Sequence, residues 1–170
     1  GWGDDDAVAP REPLRDHHRR ISVYLDCEAM DGTSRRGTGV IIDAGGHVIA
    51  PSQLVRAPGT RCFGEVGRKV GRPALEVFVK RVSPNYQIAL LTFGRGEGKP
   101  ARMARFSRDM YRAPVHAFGY PDSAANGKSD VAHVAVETVN TVTDTITLDG
   151  LDSAQMGEMA GAPVLLEDGR

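Results

Sequence analysis

Cysteine is scarce: Cys27 and Cys62 are the only two in 170 residues. No Cys-x-x-Cys, no zinc-ligand spacing and no Asn-x-Ser/Thr sequon occurs, which excludes zinc ribbons and dithiol redox motifs. Two cysteines without geometry leave both a bridge and a pair of buried thiols open. No apolar run approaches the roughly 18–20 residues that a membrane-spanning helix needs, so no membrane segment is expected. The opening Gly1-Trp2-Gly3-Asp4-Asp5-Asp6 has neither the basic start nor the apolar core of a signal peptide. The formal net charge is −1, which excludes a polycationic nucleic-acid coat and an acidic solubiliser. Aromatic residues make up 6% of the chain. They do not interleave with Arg35-Arg36, Arg68-Lys69 or Lys80-Arg81 as a stacking platform would require, and no nucleic-acid partner is expected.

What is present is a strand pattern. Apolar residues are 41% and charged residues 25% of the chain, the composition of a globular domain with a core. Charge is uneven: His17 to Arg112 holds 17 Lys/Arg against 8 Asp/Glu, and Ala113 to Arg170 holds 2 against 9. Unequal solvated faces on two halves of one fold account for this. Residues 1–20, with three aspartates, Pro10, Pro13 and mixed charge, read as a tail or linker. From there Ile21, Val23 and Leu25 alternate with Ser22, Tyr24 and Asp26, the period of a half-buried strand. Val40-Ile41-Ile42 and Val48-Ile49 flank Asp43-Ala44-Gly45-Gly46-His47, a hairpin whose glycines supply positive φ. Further strands are expected at 61–66, 75–82, 88–93, 115–120, 131–139, 145–148 and 163–166, with a turn at Asn126-Gly127. Short helical turns fit 51–55 and 105–112. This pattern predicts an all-β barrel or sandwich.

Three stretches then carry a family resemblance. Gly37-Thr38-Gly39-Val40-Ile41-Ile42, the hairpin, and Val48-Ile49-Ala50-Pro51-Ser52-Gln53-Leu54-Val55 resemble the trypsin-like fold of the HtrA/Deg branch. There, a short turn after the hairpin bears the catalytic histidine. Val82-Ser83-Pro84-Asn85-Tyr86-Gln87-Ile88-Ala89-Leu90-Leu91 is similar to the segment where the catalytic aspartate precedes a strand. Glu158-Met159-Ala160-Gly161-Ala162-Pro163-Val164 is similar to the nucleophile loop. The resemblance runs over about 21–170 and implies a double β-barrel, with lobes of about 21–93 and 113–170 and a C-terminal barrel that need not be complete. It also favours a periplasmic or extracytoplasmic setting.

The departures carry the functional expectation. Gln53 stands at the histidine position, Gln87 at the aspartate position and Ala160 at the serine position. A glutamine amide is no general base near neutral pH, and alanine has no nucleophile. Glu158 replaces the glycine expected two residues before the nucleophile, so with Met159 and Gly161 it marks an altered oxyanion loop. The resemblance therefore implies a pseudoprotease, with no catalytic residues and no cofactor, that binds or scaffolds a protein partner. Degenerate modules of tandem Deg proteins are of this kind. Glu158, Met159 and Tyr86 are expected to crowd the old substrate groove. The alternative is a transition-metal site on the dead scaffold, as in MamO-like proteins. Its candidate ligands are His116 and His133, which would face each other if their strands pair.

Overall fold

A computed structural model of the chain describes residues 12–68, 73–105, 107, 110–120, 130–140, 142, 145–149 and 160–170. The side chains of 12, 13, 130–139 and 145–149 are excepted. Six strands form a closed barrel: β1 (Ser22–Glu28), β2 (Ser34–Ile41), β3 (His47–Pro51), β4 (Arg61–Val66), β5 (Leu75–Ser83) and β6 (Ile88–Thr92). Their order around the barrel is β1-β2-β3-β6-β5-β4, and every pairing is antiparallel. A second lobe holds β7 (Pro114–Gly119), β8 (Asp130–Asn140), β9 (Thr145–Asp149) and β10 (Val164–Leu166), in the order β10-β7-β8-β9. Among the described residues this lobe is an open four-stranded sheet, in keeping with a second barrel that need not be complete.

Alternation explains the barrel core. Val23, Leu25 and Cys27 point inward from β1 to meet Ile41, Val48, Ala89 and Leu91, all at most 1% exposed. Burial at about 25 cal/mol per Å2 of apolar surface makes this cluster the main source of stability in the lobe. Cys27 and Cys62 are register partners on β1 and β4, with Cα atoms 4.0 Å apart, and they form a disulfide. Of the two states left open by the sequence, the structure shows the bridge. The β2–β3 hairpin turns where expected: Gly46 has φ +83°. The Asp43 carboxylate accepts the N–H groups of Gly45 and His47 and pairs with His47 Nδ1 at 2.8 Å. The His47 backbone N–H is the foremost reason that the Asp43 carboxyl lies below its ordinary range.

The tail or linker expected over 1–20 requires correction along Glu12–Ile21, which is an α-helix, α1. Pro13 falls in its first turn, where the missing N–H leaves no intrahelical bond unmade. His18, Arg19 and Arg20 close its last turn, where positive charge complements the helix dipole. Leu14, His18 and Ile21, spaced by four and three, form its buried face. Leu14 and Ile21 pack with Phe118 and Leu165 of the second lobe. His18 is fully buried and stacks on Phe118 and Tyr120, with ring centroids 4.6 and 5.2 Å away. Its neighbour His17 donates a ring N–H to the Gly169 carbonyl at 3.0 Å. The helix thus belongs to the interface between the lobes, while β1 continues from it into the first barrel.

Gly94–Arg112 links the lobes. The expected turn at 105–112 is only partly described: the Met110 N–H donates to the Ser107 carbonyl and the Ala113 N–H to that of Met110. Asn126-Gly127 lies outside the described residues.

Candidate functional site

The pairing of β3 with β6 brings two of the singled-out residues together. Pro51 and Ile88 are the last register partners of that pair. The turn leaving β3 and the turn entering β6 therefore share one end of the barrel. After β3 the chain makes one 3-10 turn, Ser52–Val55, which carries Gln53 and plants Leu54 in the core. Before β6 it turns sharply through Gln87, whose φ of +56° is a left-handed conformation. The Ser52 N–H donates to the Gln87 carbonyl at 3.0 Å and ties the two turns to each other. Arg35 Nη1 donates to the Gln53 carbonyl at 2.8 Å and steadies the first.

The second lobe supplies the third residue. Gly161 has φ +82°, and a Cβ there would collide with the Thr38 carbonyl oxygen and stand 2.6 Å from Pro51 Cδ. The glycine lets this loop lie directly on β2 and β3. Ala160 thereby reaches the rim shared with Gln53 and Gln87.

All three residues line one cleft of about 350 Å3, together with Tyr86, Arg56 and Ser52. Tyr86 is 70% exposed on the rim, so it does not fill the groove as expected. Glu158 and Met159 lie outside the described residues. Sequence reading missed Ser52 and Arg56, whose signal was only their adjacency to Gln53. Among the described lining residues there is no imidazole and no carboxylate. A guanidinium takes up no further proton, and among the described lining residues no base stands beside the Ser52 hydroxyl. Among its described lining residues the cleft presents apolar walls, the Gln53 and Gln87 amides, the Ser52 and Tyr86 hydroxyls and the Arg56 guanidinium.

A second, apolar cavity of about 370 Å3 lies between the lobes, lined by Val40, Ile42, Met103, Val115 and Leu165 among others. None of Gln53, Gln87 and Ala160 lines it.

His116 and His133 are register partners on β7 and β8, with Leu165 of β10 opposite His116 on its other side. This is the strand pairing on which the alternative reading depends. His116 is buried, its ring 6.2 Å from that of Phe118, and it is not among the cleft-lining residues. Among the described residues no group of three or more His, Cys, Asp or Glu gathers as a metal site would.

Closed barrel, second sheet and interlobe cleft define the trypsin-like fold. The whole chain superposes on the crystal structure of Deg5 with a TM-score of 0.72, covering 100% of this chain and 83% of that one at 17% identity. Identity this low speaks for the fold alone. No protein-family model and no curated protein matches the sequence.

Proposed function

We propose that this chain is a catalytically inactive trypsin-fold domain that holds a segment of a protein partner in its interlobe cleft. One observation carries the reading: Gln53, Gln87 and Ala160, far apart in sequence, line the same 350 Å3 cleft. They occupy the positions where the resemblance calls for base, orienting carboxylate and nucleophile. A protease with this geometry needs an imidazole to take the hydroxyl proton and a hydroxyl to attack. These three side chains supply neither.

The test joins turnover to binding. The chain is expected to hydrolyse neither casein nor an activated ester. An unfolded peptide is expected to bind at the cleft, with loss of binding in Ala160→Trp. Turnover that survives substitution of all three positions would overturn the reading.

A transition-metal role is the second reading, favoured by the register pairing of His116 with His133. Calorimetric titration with Co, Ni, Cu and Zn at pH 7.5 is expected to show binding that weakens at pH 5.5, where free imidazoles protonate. Binding unchanged in His116→Ala would dismiss these ligands.

A further inference from the structure

We infer that the outer edge of β5 from Phe78 to Ser83 is a docking site for an extended peptide that alternates acidic and apolar residues and adds to the barrel as a strand. This face is distinct from the cleft, and the inference stands whether or not the cleft has lost its chemistry.

The topology exposes the edge. β6 pairs with β5 from Phe78 to Ser83, whereas β4 pairs with it only at Leu75, Glu76 and Val77. Beyond Val77, among the described residues, no strand lies on the other side of β5. A row of backbone donors and acceptors is a template for another chain.

The side chains there are unusual for a solvent edge. Val79 stands opposite Leu91 and Val82 opposite Ala89, and both partners are fully buried. The two valines therefore share the core-facing side of the sheet, yet they are 39% and 45% exposed, and Phe78 is 53% exposed. Their apolar surface lacks the cover that a neighbouring strand would give it.

Charge selects the occupant. The register shifts between Val79 and Arg81, a bulge that falls at Lys80. Among the described residues neither Lys80 nor Arg81 forms an ion pair, unlike Arg61, which pairs with Glu76 where β4 begins. Two copies meeting edge to edge would set these cations against each other, and such repulsion blunts self-association. An acidic strand turns the same charges into attraction while its apolar residues, all on one face, cover Val79 and Val82.

The experiment uses a nine-residue peptide alternating Glu or Asp with Val or Ile, followed by fluorescence anisotropy and by amide exchange of the full chain. Saturable binding is expected, with new protection at the amides of residues 78–83. Lys80→Glu/Arg81→Glu is expected to weaken it by about tenfold or more, and added salt to weaken it further. Ala160→Trp, which blocks the cleft, is expected to leave it intact. Absence of binding, equal binding by a peptide with alternate amides N-methylated, protection confined to other strands, or loss in Ala160→Trp would each overturn the inference. Lys80 and Arg81 are both exposed, and the melting temperature of the double variant checks that it folds.

Discussion

Thr38, buried on β2, accepts the backbone N–H of Tyr120 on its Oγ1 at 3.1 Å. The same residue's carbonyl oxygen lies beneath Gly161. One first-barrel residue thus meets the second lobe at two places, and the cleft's shape depends on it. Thr38→Val keeps the shape of the side chain but strands a buried N–H. An orphaned buried donor costs about 1–3 kcal/mol, and urea denaturation is expected to show a loss in that range. A variant as stable as the parent would mean that water takes over the bond.

Gly161 holds the other contact. Gly161→Ala places a methyl group against the Thr38 carbonyl in a backbone region that costs L-residues about 1–2 kcal/mol by itself. The expected result is a destabilisation of at least about 2 kcal/mol. Cleft binding should weaken with it, because Ala160 moves with the loop. Unchanged peptide affinity alongside the lost stability would show that the cleft does not need this docking.

His18 gives a pH dependence with a definite sign. Burial, then the positive charges of Arg19, His17 and Arg15, push its pKa down from 6.5 to about 3. Tyr120 and Ser22 face it as neutral groups, with Tyr120 pushed up to about 12 by burial. The Tyr120 hydroxyl and the Ser22 hydroxyl are hydrogen-bonded at 2.6 Å, and Ser22 Oγ donates to the His18 carbonyl. The unfolded chain takes up the proton first as pH falls. The stability due to neutral His18 is therefore complete above about pH 6.5 and is lost progressively below it, by about 1.4 kcal/mol per pH unit. Denaturation at pH 7.5, 6, 5 and 4 should show this slope in the parent and not in His18→Phe or His18→Gln. Parallel profiles would place the proton elsewhere.

The Cys27–Cys62 bridge closes a loop with a sequence separation of 35. Chain-entropy reasoning assigns such a loop about 3–4 kcal/mol. Denaturation with and without a reductant should differ by about this amount, and Cys27→Ala/Cys62→Ala should match the reduced protein. Identical midpoints would mean that β1–β4 pairing already suffices.

On the proposed reading, placing a triad in the cleft is not expected to yield an enzyme. Gln53→His, Gln87→Asp, Ala160→Ser supplies the side chains that the family resemblance calls for at these positions, and such residues act as a unit, so single changes should do nothing. The triple change still leaves Glu158 where the family resemblance calls for a glycine of the oxyanion loop, and one missing oxyanion donor costs about 10²–10³ in rate. Neither casein cleavage nor a burst with an activated ester is expected. Measurable turnover would show a scaffold still fit for proteolysis.

Much of the first barrel was legible because its signals are local. Alternating apolar residues gave β1, two glycines gave the hairpin, and Pro51-Ser52 announced the turn that carries Gln53. The convergence of Gln53, Gln87 and Ala160 came from the family resemblance, since no spacing within the chain encodes it. Helix α1 was missed for a physical reason. Its buried face is Leu14, His18 and Ile21, and histidine scores as polar although a neutral, stacked imidazole packs like an aromatic ring. The spacing of four and three was there to be read. The open edge of β5 was hidden too, because where β4 stops pairing depends on the whole barrel and not on the residues of β5.

The docking of α1 sets an order on synthesis. Ser22 and Tyr120 are 98 residues apart, and His17 and Gly169 are 152 apart. A nascent chain, emerging at about 5–20 residues per second, has every strand of the first barrel once Thr92 has left the ribosome. The surfaces that receive Leu14, His18 and Ile21 arrive only afterwards. For several seconds all six strands of the barrel are out while the amphipathic helix ahead of β1 stays undocked, its apolar face open to the surroundings.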